Sequence, residues 1–207
     1  RDVVQAAMND GAIREVDPDT PILVGAMSWS QVDWLPYLEP TDDPRTVYTF
    51  HQYTPQDYTH QHPDEQGDLP ITYRGKLDLD WDGKTDSLDR NWLESLLSPV
   101  TEFQSTHGMP GAVNEYGVMR FEPGAAEYLN DLMELLEDLG INHALWAWTS
   151  AHVLRYGDMQ EFEYRLGPDM DNLTEEVPSE LMEVIVSNWE QNTVRPSQVT
   201  FIRRHPR

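Results

Sequence analysis

Cysteine is absent from the 207 residues. Its absence excludes a disulfide framework, a thiol nucleophile and a thiolate metal site, and says nothing of the redox compartment. Lysine is nearly absent as well. Of 14 basic residues only Lys76 and Lys84 are lysines, against 37 acidic ones, and the net charge is -23. Binding to a phosphate backbone draws its affinity from lysine and arginine, so nucleic acid is not an expected partner; a neutral polysaccharide meets no such repulsion. The charge otherwise serves solubility or a salty habitat. No run approaches the roughly 18 apolar residues of a membrane span, so no membrane partner is expected. The opening Arg1-Asp2-Val3-Val4-Gln5 has neither an initiator methionine nor a signal-peptide pattern. The chain is therefore expected to begin inside a longer one.

What is present is enough apolar material, 39% of residues, for one good core. Strand-like and helix-like patterns alternate along it, which predicts a parallel sheet with crossover helices. Apolar residues at Val3, Val4, Ala7, Met8, Ala12 and Val16 have helical spacing, and a first strand follows at Ile22–Ala26. The second strand is Thr46–Phe50. A long connection from Tyr53 to Asp86 follows, in which Ile71–Tyr73 and Lys76–Leu79 are expected to pair as a hairpin. The spacing then predicts a helix over Ser87–Thr106, a strand at Gly111–Asn114, a helix over Pro123–Leu139, a strand at His143–Trp148 and a helix over Pro178–Trp189. These four units are half of a TIM (β/α)8 barrel. The expected division is a half-barrel over residues 1–190 and a polar, arginine-rich tail or linker over 191–207.

In such a barrel the chemistry sits at the C-terminal ends of the strands. Reading those ends in order gives Ser28-Trp29, His51-Gln52-Tyr53, Asn114-Glu115-Tyr116-Gly117 and Trp146-Ala147-Trp148. Glu115 is the leading candidate for catalysis, because glycosidic bond cleavage needs carboxylates; a surface glutamate in a loop is the competing reading. His51 and Tyr53 alternate and so share one side of an extended strand end. Trp29, Trp146 and Trp148 offer flat apolar faces with an N–H handle, suited to sugar rings or to core packing. His51, His60 and His62 with Asp57, Asp64 and Glu65 have no metal-ligand spacing and read as solvated loop residues, so no metal site is expected. No GxSxG context or glycine-rich phosphate loop is present.

The ordered strand-end set resembles family 5 of the glycoside hydrolases, the cellulase family. The resemblance rests on His51-Gln52-Tyr53, Glu115-Tyr116-Gly117 and Trp146. The stretches Tyr58-Thr59-His60-Gln61 and Gly117 to Ala126 look like a cellulase-like branch of that family. The resemblance covers about residues 1–190. It implies the C-terminal half of the barrel, strands five to eight, with Glu115 as nucleophile, Tyr53 hydrogen-bonded to it, His51 shaping the centre and Trp146 as the platform under the sugar. Trp29 matches loosely, as a subsite wall. It further implies a retaining endo-β-1,4-glucanase acting by double displacement, with a β-mannanase or a non-catalytic carbohydrate-binding or assembly half-barrel as alternatives. The expected substrate is a polysaccharide or oligosaccharide, with no metal or organic cofactor and an extracellular location. The family's acid/base glutamate has no counterpart in the chain, so a missing N-terminal half-barrel is the expected partner and the chain alone is expected to be inactive.

Overall fold

The computed structural model of the protein describes residues 11–62, 70–79, 82–147 and 160–192. Four strands, β1 (Ile22–Gly25), β2 (Thr46–Gln52), β5 (Gly111–Tyr116) and β6 (Asn142–Leu145), form one sheet in the order β1-β2-β5-β6. Every neighbouring pair is parallel. Helix α1 (Ala12–Val16) precedes β1, a 3₁₀ helix (Val32–Tyr37) lies between β1 and β2, α2 (Arg90–His107) between β2 and β5, α3 (Ala125–Asp138) between β5 and β6, and α4 (Glu180–Glu190) follows β6. Strands that neighbour in sequence order and are linked by helices are consecutive units of a (β/α)8 barrel. The fold is the expected one: α/β, a half of a TIM barrel.

Local sequence explains the helix limits. Asp89 caps α2 by accepting from the Trp92 amide at 3.1 Å, and Gly108 ends it in the left-handed region, at φ 65°. Helix α2 therefore starts at Arg90 rather than Ser87. Leu93, Leu97, Val100 and Phe103 of α2 and Leu129, Leu132, Met133 and Leu136 of α3 are buried against Tyr48, Phe50 and Val113 of the sheet. The other face of the sheet is less covered: on β1 Val24 is 4% exposed, whereas its neighbour Leu23 is 54% exposed.

The long connection differs from expectation. Lys76–Leu77 (β3) pairs antiparallel not with Ile71–Tyr73 but with Asp86–Ser87 (β4). The reason lies in the donors of the preceding segment. The Tyr73 amide is taken by the Pro123 carbonyl at 3.0 Å, the Arg74 amide by Leu88 at 2.8 Å and the Gly75 amide by Thr72 at 2.8 Å. These amides are turned away from β3, and Tyr73 instead buries its ring and donates its hydroxyl to Asp131 at 2.8 Å. The strands also run differently from their predicted ends: β2 extends through Gln52 and β5 through Tyr116, while β6 stops at Leu145. The segment before Gly11, Trp148 and the tail from residue 193 lie outside the described residues. No helix among the described residues is long and apolar enough to cross a membrane.

One buried charge-bearing group stands apart from the site. Glu122 is 4% exposed, and burial pushes its carboxyl up to about 8, with the Gln61 amide opposing the rise. The folded protein thus holds a proton that the unfolded chain releases above the ordinary glutamate range. Stability from this group is present below about pH 4.5 and is lost as pH rises through about 8. The Glu122→Gln variant carries no such proton. It is expected to match the wild type in urea melts at pH 4.5 and to exceed it at pH 8.5; an unchanged difference between the two pH values contradicts the assignment.

Candidate active site

Parallel strands set side chains at fixed offsets, and β5 departs from them once beside β2. Phe50 pairs with Val113, but the next pairing is His51 with Glu115, so Asn114 is an extra residue, a bulge. Without it His51 would stand beside Asn114. With it, Glu115 comes level with His51, and Tyr53, two residues on, reaches the same carboxylate. Tyr53 donates its hydroxyl to Glu115 Oε1 at 2.8 Å. His51 Nδ1 stands 3.6 Å from Glu115 Oε2, with the two side chains 24% and 29% exposed. That separation is longer than a hydrogen bond. Burial, then the Glu115 hydrogen bond, raises the Tyr53 hydroxyl far above its ordinary range. It is therefore a neutral donor at any working pH.

These residues open onto a cleft of about 460 Å³ lined by Trp29, Gln31, His51, Tyr53, Thr54, Gln56, His60 and Glu115. Four of the five expected site residues are brought together there. Trp29 is 85% exposed at the rim, in a turn where Ser28, Trp29 and Ser30 all have positive φ. Trp146, the fifth, lies directly after β6 and is tied by its backbone: its amide donates to the Tyr116 carbonyl at 2.8 Å and its carbonyl accepts from the Tyr164 hydroxyl at 2.9 Å. Its side chain is not among those lining the cleft.

His60 was expected to be a solvated loop residue, and the structure corrects this. It lines the cleft, with its ring 5.0 Å from Tyr53 and 5.1 Å from Phe162, centroid to centroid. The Thr59 hydroxyl gives its one proton to the Tyr53 carbonyl at 2.6 Å, so in its 2.8 Å contact with His60 Nδ1 it accepts. Nδ1 therefore carries the proton. Burial, then His62, lowers the His60 pKa against the pull of Glu115, which favours the neutral ring; in that form Nε2 is the acceptor. The signal for His60 was its place in the Tyr58–Gln61 stretch; the composition of the loop concealed it. Among the described residues no group of three or more histidines or carboxylates is placed to hold a metal ion.

The close packing behind the site explains Gly117. A Cβ at this position would stand 2.6 Å from the Trp146 carbonyl and 2.6 Å from the Tyr164 hydroxyl. Only glycine lets the chain after Glu115 pass against the chain after β6. Chemically, the cleft offers one carboxylate with a hydroxyl donor and an imidazole beside it. Hydrolysis of a glycosidic bond uses two carboxylates, about 5–5.5 Å apart in the retaining case; among the described lining residues Glu115 is the one present.

A strand-end carboxylate in a (β/α)8 frame, held by a tyrosine and a histidine from the neighbouring strand, defines a class of barrel hydrolase. Comparison with known proteins gives the family. The model of the family Cellulase (glycosyl hydrolase family 5) matches residues 2–152. Cellodextrinase A of Ruminococcus flavefaciens is 30% identical over 109 residues, 53% of this chain and 31% of that protein. Endoglucanase C of Acetivibrio thermocellus is 27% identical over 155 residues, 65% of this chain and 45% of that protein. Among solved structures, a hyperthermophilic endo-β-1,4-glucanase in complex with substrate superposes with a TM-score of 0.61 at 18% identity, over 88% of this chain and 55% of that one. A mutant form of Thermotoga maritima Cel5A with cellobiose gives 0.62 at 18% identity, over 88% and 53%. The chain belongs to glycosyl hydrolase family 5, the cellulase family, and is thus of the glycoside hydrolases. It spans about half the length, or less, of the relatives it matches.

Replacing Gly117 with Ala is expected to cost about 1–3 kcal/mol by overpacking against backbone. Thermal melts check this; a melt unchanged from wild type contradicts the close approach.

Proposed function

We propose that the chain carries the nucleophile half of a retaining endo-β-1,4-glucanase. The observation that carries this reading is the 2.8 Å hydrogen bond from Tyr53 to Glu115 at adjoining strand ends. In the first step a Glu115 oxygen attacks the anomeric carbon, while an acid outside this cleft lining protonates the departing glycosidic oxygen. In the second, the deprotonated acid takes a proton from water as that water attacks the anomeric carbon of the glycosyl-enzyme, and Glu115 leaves as a carboxylate. Tyr53 orients the attacking carboxylate; His51 shapes the floor beside it; Trp29 offers a face to sugar rings at the rim, and Trp146, which packs beside the cleft rather than lining it, is assigned the sugar platform by its place after β6.

The acid/base is assigned to a complementary half-barrel. Two features support this: β1 and β6 each have one sheet edge unpaired among the described residues, and apolar Leu23 is 54% exposed. Closing a barrel removes both liabilities. The catalytic portion is assigned to residues 1–190, with 191–207 as a tail or linker, and the location to the extracellular space where polysaccharide is met. A carbohydrate-binding half-barrel without catalysis is favoured by the single carboxylate among the described residues lining the cleft; a β-mannanase differs only in the sugar held.

In the protein that carries both halves, cellotetraose is expected to release the β-anomer first, followed by proton NMR. Glu115→Gln is expected to lower turnover by about 10⁴-fold or more, with folding intact by circular dichroism, and the 207-residue chain alone is expected to be inactive. Initial release of the α-anomer overturns retention, and undiminished turnover by Glu115→Gln moves the nucleophile elsewhere. Sugar binding without hydrolysis by the protein with both halves selects the binding module.

A further inference from the structure

Tyr53 can serve Glu115 only if its ring stays where the hydroxyl reaches Oε1. Phe162 meets the Tyr53 ring edge-on, at 5.9 Å and 77°, and meets His60 at 5.1 Å. Phe162 belongs to the segment after β6, whose described part has only two short 3₁₀ turns, Gln160–Phe162 and Tyr164–Leu166. Such a segment does not hold its own shape through a hydrogen-bond ladder.

Arg120 holds it. The residue is 3% exposed and comes from the loop that follows Glu115. Its Nε donates to the Gln160 carbonyl at 3.1 Å. One terminal nitrogen donates to Gly167 and, at 2.6 Å, to Asp169; the other donates to Met170 at 3.4 Å and to Asn172 at 2.9 Å. The Arg120 amide adds a bond to the Glu161 carbonyl at 2.7 Å. The five side-chain contacts all end on main-chain carbonyls of one segment. A guanidinium fork can span them; an ammonium, a compact point charge, cannot. The same segment supplies Tyr164, whose hydroxyl accepts from the Val118 amide at 3.3 Å and donates to the Trp146 carbonyl.

We propose that Arg120 is a positioning residue for the nucleophile: it fixes the shape of the 160–172 segment, so that Phe162 braces the Tyr53 ring within hydrogen-bond reach of Glu115. The inference rests on Glu115 being the nucleophile.

The test is a set of variants in the protein with both halves, assayed on cellotetraose: Arg120→Lys, Arg120→Met, Phe162→Leu, Tyr53→Phe and the double variant Arg120→Lys with Tyr53→Phe. Active sites are counted by covalent trapping, so that kcat refers to folded protein. Both Arg120 variants and Phe162→Leu are expected to lose about 10–100-fold in kcat, with KM moving less than about threefold. The double variant is expected to fall little below Tyr53→Phe alone, since both changes remove the same interaction. If the Arg120 variants do not fold, Phe162→Leu combined with Tyr53→Phe gives the same reading. Unchanged kcat per active site, or losses that multiply in the double variant, overturns the positioning role. An active Glu115→Gln control instead overturns the nucleophile assignment, so the two failures are distinct.

Discussion

Parallel strands hold their side chains in register, and a register that runs true would set Asn114, not Glu115, beside His51. The bulge at Asn114 moves the carboxylate by one place where β2 and β5 end together. The polar contacts of Glu115 follow from that shift: Tyr53 reaches Oε1, His51 faces Oε2, and the two adjoining strands meet on one carboxylate. A bulge loosens pairing locally and bends the strand, so it persists only where its surroundings fix it. Here the surroundings are the buried layer beneath, where Phe50, Val113 and Tyr116 are fully covered.

The site is then built outward from loops rather than from the sheet. Gly117 admits the chain after β6 at backbone contact, and Tyr164 joins Val118 to Trp146 through one hydroxyl. Arg120 spends a buried charge on carbonyls of a segment with little regular structure. Loops of this kind carry the function of barrels because the rigid strands beneath set their origins. The chain as a whole carries a net charge of -23, and a neutral polysaccharide meets such a charge without electrostatic penalty.

Much of this was legible before any coordinates. Alternating short apolar runs and 3.6-residue stripes gave four units in order, because strands and helices bury side chains at different spacings. Glu115, His51 and Tyr53 stood out because strand ends in a barrel are where polar residues have a reason to be. The bulge was not legible: nothing in Gly111 to Tyr116 signals an extra residue, and the effect arises from pairing with another strand. The hairpin was misread because the amides of residues 73–75 are claimed by Pro123, Leu88 and Thr72, two of them distant in sequence. His60 was set aside as solvated since its cover comes from Phe162, about a hundred residues away. Arg120 lay in a stretch noted for its family likeness, but the carbonyls it gathers have no side-chain signature.

The central claim is that Glu115 is the group that bonds to sugar. An activated 2-deoxy-2-fluoro-β-cellobioside with a dinitrophenolate leaving group needs no acid to depart and leaves a slowly turning-over glycosyl-enzyme. Peptide mapping by mass spectrometry after such labelling of the protein with both halves is the direct measurement. The account predicts the fluorocellobiosyl group on the peptide containing Glu115, and no label in Glu115→Gln. A label on any other carboxylate contradicts it.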